Sequence, residues 1–249
     1  MNNEIKRELL KTMDSIATEM PDIILLNYYD KMVNKNKYVL SMFLDAYKTV
    51  DVMCYAYKNI CISQTAMLLR QLLIQTTITT ILTNHPELID DYIKHYKFRI
   101  ETEQLKKHEQ IDAIAKEFGV KADKFALSYL DYGWIPFDVS NNCSEDGMIK
   151  YAGFEDILSW KKQYLDKFSH ASYTSNDTIG KSGDFPILNN FMDIAAKLFD
   201  NLCVSFHNFT KFAFKFNGED LFNNSFRPLY TEFLSEMKVG INKECEEVA

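Results

Sequence analysis

Residues 62–83, ISQTAMLLRQLLIQTTITTILT, form a long stretch that no glycine or proline interrupts. On an α-helix, Gln64, Gln71 and Gln75 make one narrow polar stripe, and apolar residues cover nearly every other side. A helix that is apolar almost all round is buried among other elements. We therefore expect this segment to be the central helix of the fold.

The sequence on either side of this segment predicts further helices. Apolar residues recur at helical spacing, and no segment alternates over enough residues to indicate a sheet. The predicted helices span 2–18, 20–33 (with Pro21 in the first turn), 37–60, 85–118, 154–173, 187–214 and 226–239, and loops are expected at 133–153 and 174–186. This pattern predicts an all-α protein, a multi-helix bundle with long antiparallel helices. We expect one domain over 1–249, with helices 187–240 packing on a core at about 60–175.

The composition and charge indicate a globular helical protein. The chain has 249 residues, 47% of them hydrophobic, and only 8 glycines and 5 prolines, which is typical of a globular helical domain. Its formal net charge of −7 disfavours broad nonspecific binding to nucleic acid, which depends on Lys and Arg. No signal peptide or apolar membrane span precedes or interrupts the helices, and the five cysteines lack a CxxC pair. We expect a cytoplasmic protein with reduced thiols and no membrane contact.

Arg70 is the one charged residue of the central segment. The residues three and four positions away are all apolar: Ala66, Met67, Leu73 and Ile74. A guanidinium that emerges from such a surface needs a partner, either a carboxylate from another helix or a bound anion such as a phosphate. Both interpretations remain open at this point.

Asp166 and His170 lie one turn apart on the polar face of the predicted helix 154–173. A carboxylate at this spacing can orient an imidazole and favour its charged form, as a general acid or base requires. The alternative is an ordinary exposed pair. The candidate catalytic residues are therefore His170, Asp166 and Arg70, and Lys167 is a further candidate for holding an anion.

The sequence lacks the complete patterns that nucleotide-binding and metal-binding sites require. Gly180-Lys181-Ser182 has the end of a phosphate-binding loop, but Ser175 occupies the first glycine position, and a helix rather than a strand precedes it. The histidines have no partner four residues away, so no metal and no cofactor are predicted.

Three stretches resemble the bacterial DUF5677 family and occur in that family's order. They are AMLLRQLLIQT at 66–76, YLDYGWIPF at 129–137 and YLDKFSHASYT at 164–174. The resemblance covers roughly residues 60–175 and implies a helical fold with a shared site around Arg70, Trp134, Tyr164 and His170. Gln75 stands where the family usually has Glu, and a neutral amide cannot form an ion pair with Arg70.

The predicted bundle is also similar in style to HEPN proteins, many of which cleave RNA or act in bacterial toxin and antiphage systems. Their signature is Arg, then four to six residues, then His. The corresponding positions before His170 are Leu165, Tyr164 and Gln163, so the signature is absent.

Two functions follow from these features. The first is a noncatalytic or regulatory helical protein that binds a protein partner or a second copy, in bacterial antiphage defence or stress response. The second is a metal-independent ribonuclease in which His170 transfers a proton, Asp166 orients it, and Arg70 or Lys167 holds the scissile phosphate. The candidate binding residues are Trp134, Tyr164, Lys167 and Gln75.

Two further features predict local structure and side-chain contacts. Gly133 and Pro136 flank Trp134 and predict a fixed turn that buries the indole against the bundle. Because the polar motifs fall on different helices, we also expect His170 and Arg70 to approach each other.

Overall fold

The computed structural model describes residues 3–27, 29–102, 116, 132–136, 144–166, 186–213 and 227–247. These residues contain helices and turns and no β-strand, which confirms the all-α fold. The α-helices are α1 (Asn3–Asn27), α2 (Asn34–Lys58), α3 (Ile62–Asn84), α4 (Ile89–Thr102), α5 (Glu145–Tyr151), α6 (Glu155–Trp160), α7 (Pro186–Ala213) and α8 (Arg227–Glu247). Short 3₁₀ turns span Tyr29–Lys31 and Pro86–Leu88, and a π-helical turn, Lys161–Leu165, follows α6 directly. None of the described helices combines the length and apolar character needed to cross a membrane.

Helix α3 is central, as its composition predicts. It packs against α2 on one side and α7 on another, while α1 packs against α2 and α8. Leu69, Leu72 and Leu73 are fully buried. The predicted glutamine stripe is only partly correct, because Gln64 and Gln71 are exposed but Gln75 is buried.

Aromatic side chains fill the space between α2, α7 and α8. The rings of Phe43 and Phe206 lie 5.3 Å apart, and those of Phe199 and Phe233 lie 5.1 Å apart, both edge to face. Tyr47 contacts Phe206 at 5.9 Å in the same way. Such pairs add to the free energy gained by burial, so these aromatic residues serve as core.

The prediction of two helices at the N-terminus is wrong, because α1 continues through Pro21. An internal proline costs an α-helix about 3 kcal/mol. The apolar stripe of α1 continues across it, and Met13, Ile16, Met20 and Ile24 are all completely buried. Since each such side chain contributes about 1.5 to 3 kcal/mol by burial, packing outweighs the local cost.

The prediction of a loop over 133–153 is wrong for residues 145–151, which form α5, while residues 133–136 are non-helical as predicted. The Ser144 hydroxyl caps this helix by accepting a hydrogen bond from the Gly147 N–H at 3.1 Å. At its other end, Gly153 has a φ of +83°, and the Phe154 N–H donates to the Ile149 carbonyl at 3.0 Å. This glycine-terminated helix end turns the chain sharply into α6.

Helix α4 begins the long helix predicted for 85–118. It is preceded by the 3₁₀ turn at Pro86–Leu88 and is described as far as Thr102, and Lys116 is helical. The rest of that prediction lies outside the described residues.

Candidate functional site

Arg70 forms ion pairs with carboxylates from two other elements. Its Nη2 donates to both carboxylate oxygens of Glu145 at 3.0 Å, and its Nε donates to Asp166 Oδ1 at 3.2 Å. The Arg70 side chain is about one-third exposed. The interpretation of Arg70 as a partner of carboxylates from other elements is therefore confirmed.

Lys161 contacts both carboxylates that pair with Arg70, and Asp146 as well. Its Nζ lies 3.1 Å from Glu145 Oε1, 3.1 Å from Asp146 Oδ1 and 3.2 Å from Asp166 Oδ2. An ammonium group has three donors, so each of its hydrogens can meet one carboxylate. The side chain is only 8% exposed. Burial lowers the pKa of Lys161, but the hydrogen bonds to the three carboxylates outweigh it and raise that pKa above its ordinary value.

Lys162 completes the cluster at its solvent-facing edge. Its Nζ lies 3.0 Å from Asp146 Oδ2, and its side chain is 65% exposed. Partial burial raises the pKa of Asp146, yet the hydrogen bonds from Lys162 and Lys161 outweigh burial and hold that pKa below its usual range. We call Arg70, Glu145, Asp146, Lys161, Lys162 and Asp166 the charge cluster.

The π-helical turn brings Lys161 and Asp166 to the same side. These residues are five positions apart, and on a regular α-helix such side chains point about 140° away from each other. Here the Asp166 N–H donates to the carbonyl of Lys161, five residues earlier. This wider turn aligns both side chains with the end of Arg70.

The charge cluster is balanced, with Arg70, Lys161 and Lys162 facing three carboxylates. An anion that approached Arg70 would meet carboxylates already on its guanidinium. The cluster instead links α3 to α5 and the π turn, both of which lie more than 60 residues further along the chain. In the described part of the chain, no group of three or more His, Cys, Asp or Glu side chains is arranged to hold a metal ion.

Of the candidate catalytic residues, the structure brings Arg70 and Asp166 together across 96 positions. His170 and Lys167 lie outside the described residues. The approach of His170 to Arg70 and its orientation by Asp166 therefore stay predictions. The segment around Gly180-Lys181-Ser182 lies outside the described residues as well.

Three of the four candidate binding residues lie within the described part of the chain: Trp134, Tyr164 and Gln75. Trp134 is 5% exposed, and its ring lies 5.0 Å from that of Tyr92, so its predicted burial is confirmed. Tyr164 is half-buried, with its ring 5.2 Å from that of Trp160. Gln75 is buried, and its Oε1 has no hydrogen-bond partner in the described part of the chain. None of Trp134, Tyr164 and Gln75 is hydrogen-bonded to the cluster within the described ranges.

Four members of the charge cluster were not among the sequence candidates: Glu145, Asp146, Lys161 and Lys162. For the two acids a local signal exists, since Ser144 followed by two acidic residues is typical of a helix N-terminus. For the lysines there is none, because their positions depend on the π turn.

No known protein family, curated protein or solved structure gives a match to this chain. The resemblance to the DUF5677 family stays a prediction that depends on the three motifs. The similarity to HEPN proteins stays a prediction that depends on the style of the bundle.

Proposed function

We propose that this chain is a noncatalytic helical protein that binds a protein partner through the closed end of the α2–α3 hairpin. Four exposed apolar side chains occur within the last two turns of α2, the connection and the first two turns of α3. We call them the hairpin-end surface: Val52 (50% exposed), Tyr55 (69%), Ile60 (50%) and Met67 (54%).

The main observation in support of the proposal is the backbone conformation of Ile60. Its φ is +58°, in the left-handed region. The Ile60 N–H donates to the Tyr57 carbonyl at 3.0 Å, and the Cys61 N–H donates to the Ala56 carbonyl at 2.9 Å. This is the helix ending at which glycine is the usual residue, and a β-branched residue there costs about 1 to 2 kcal/mol.

Burial does not offset that cost in full, because half of the Ile60 side chain faces solvent. Strained backbone positions that carry an unfavourable residue are concentrated at functional sites. An exposed isoleucine at a position that favours glycine supports a role for its side chain outside the fold itself.

The chemistry of this surface favours a protein over a nucleic acid. Tyrosine, methionine and branched aliphatic side chains form the centres of protein interfaces, surrounded by polar rims. The exposed neighbours that supply such a rim include Asp51, Lys58, Ser63 and Gln64. The positive charge of Lys58 is paired with Asp14, whose Oδ2 lies 2.7 Å from its Nζ. The overall charge of −7 points the same way.

The test is site-specific photo-crosslinking in the source cells. A photoreactive amino acid is placed at Met67, with Asp45, an exposed position further from the end of α2, as the matched control. We expect a discrete adduct from position 67 that mass spectrometry identifies, and that is absent from position 45. Ile60→Gly and Tyr55→Ser should each reduce it. An adduct of twice the chain mass identifies the partner as a second copy.

The stability of Ile60→Gly separates binding from folding. Loss of a half-buried isoleucine costs about 1 kcal/mol and the added glycine flexibility about 0.5 to 1 kcal/mol, while relief of the left-handed strain returns about 1 to 2 kcal/mol. We expect an unfolding free energy within about 1 kcal/mol of wild type. A variant that loses more than about 2 kcal/mol, together with equal labelling from positions 67 and 45, would overturn the proposal.

One observation favours a second candidate, the metal-independent ribonuclease. Arg70 contacts Asp166, which lies four residues before His170 in sequence, so two of the three candidate catalytic residues are adjacent. The carboxylates on Arg70 weigh against phosphate binding there. Purified protein incubated with RNA in EDTA should therefore cleave nothing. Cleavage that is lost in His170→Ala at unchanged thermal stability would establish the nuclease instead.

A further inference from the structure

A cavity of about 530 Å³ opens between the end of α3, the α5–α6 turn and the middle of α7. This volume lies within the range of sites that hold small molecules. Neither the charge cluster nor the hairpin-end surface contributes to its lining. Its wall is polar and apolar in about equal parts and comes from three separate segments of the chain, so the fold must be intact for it to exist.

Two buried hydroxyl groups form part of the wall. Thr80 Oγ1 lies 2.9 Å from Ser205 Oγ, and the two residues are only 8% and 4% exposed. Two hydroxyls carry two hydrogens, and their mutual bond uses one of them. Thr79 and Thr83 on the same helix donate to carbonyls four residues earlier, but no such bond is present for Thr80. One buried hydrogen of the pair is therefore without an acceptor among the described protein groups, and an occupant with a hydroxyl or ether oxygen would supply it.

The mouth of the cavity is rich in acceptors and carries negative charge. Asp156 is paired with Lys197 of α7, whereas no described cation neutralises the exposed carboxylate of Glu155. The Asn201 amide group donates to the Lys197 carbonyl at 2.8 Å, which leaves its oxygen available to accept. The mouth therefore favours an occupant with an ammonium group.

We propose that this cavity binds a small amino polyol, of the amino-sugar class. A hydroxyl or ring oxygen of the ligand would accept the hydrogen from the Thr80–Ser205 pair, and its ammonium group would lie at Glu155. Both requirements must be met by one molecule, which separates this class from neutral sugars and from simple amines.

The test is isothermal titration calorimetry with three probes at a pH where the amines are protonated. Glucosamine carries both features, glucose lacks the ammonium group, and putrescine lacks the hydroxyls. We expect glucosamine to bind at least about tenfold more tightly than either of the others. Glu155→Gln should remove its advantage over glucose. The double variant Thr80→Val/Ser205→Ala, which removes both hydroxyl hydrogens of the pair, should remove its advantage over putrescine. Asp45→Asn, a surface charge change elsewhere, should have no effect.

Three outcomes would overturn the proposal. One is the absence of measurable heat with glucosamine. Another is equal affinity for glucosamine and putrescine, unchanged by the Thr80→Val/Ser205→Ala double variant, which would mean that a surface carboxylate attracts any amine. The third is equal affinity for glucosamine and glucose, which would mean that the ammonium group does not contribute to binding. Circular dichroism of both cavity variants confirms that they are folded.

Discussion

Replacement of Lys161 tests whether the charge cluster holds the three segments together. Lys161→Met keeps the length and apolar stem of the side chain but leaves Glu145, Asp146 and Asp166 without their shared cation. Removal of one partner from a buried ion pair costs about 3 to 5 kcal/mol. Because the carboxylate side chains remain 21 to 32% exposed, we expect the lower end of that range, about 3 kcal/mol. For a chain of this size, that loss lowers the Tm by about 6 to 12 °C.

The neighbouring Lys162 provides the matched control. It also contacts Asp146, but its side chain is 65% exposed, whereas that of Lys161 is 8% exposed. Exposed ion pairs contribute about 0 to 1 kcal/mol, so Lys162→Met should change stability little. Urea denaturation followed by circular dichroism measures both variants. If both variants lose the same amount of unfolding free energy, and less than about 1 kcal/mol, the claim that the buried ammonium group stabilises the fold is refuted.

Three further predictions concern single side chains. Trp134→Ala should destabilise the protein by about 3 to 5 kcal/mol, because the indole is almost fully buried, and an unchanged denaturation midpoint would contradict this. The pKa of Asp146 is lower in the folded state, so its contribution to stability is present at neutral pH and is lost as the pH falls below about 4. The difference in unfolding free energy between wild type and Asp146→Asn should therefore shrink there, and an unchanged difference would contradict this. Gln75→Glu places a charge at a buried oxygen without a partner and should cost at least about 2 kcal/mol, whereas Gln71→Glu, on the exposed side, should change the unfolding free energy by less than about 0.5 kcal/mol.

The parts of the fold that depend on hydrophobic periodicity could be predicted from the sequence. Segments 37–60, 62–83 and 187–214 coincide closely with α2, α3 and α7, because long amphipathic or apolar stretches leave few alternatives to a buried helix. The same reasoning predicts that Arg70 needs a partner, since a guanidinium among apolar residues cannot be buried alone. The local sequence does not identify that partner, because Glu145 and Asp166 are 75 and 96 positions away from Arg70.

The errors occur where tertiary packing overrides a local signal. Pro21 is a helix breaker by itself, and only the buried stripe of α1 makes a continuous helix favourable. Residues 144–151 contain a glycine and several polar residues, which favour a loop, yet the Ser144 cap and the burial of Met148 and Ile149 stabilise α5. The left-handed conformation of Ile60 has no sequence signal, because isoleucine is among the residues least expected there.

The charge cluster shows why residue spacing alone is a poor guide to contacts. Arg70 and Gln75 are five positions apart on regular α-helix, where their side chains diverge by about 140°, so an acid at position 75 would not meet Arg70 directly. Lys161 and Asp166 have the same spacing, and they do meet, at 3.2 Å, because their backbone forms a π turn. The acids on Arg70 come from α5 and the π turn instead. A glutamine at position 75 therefore leaves the ion pairs of Arg70 intact, and the backbone geometry after Trp160, rather than the residue at position 75, determines whether this site forms.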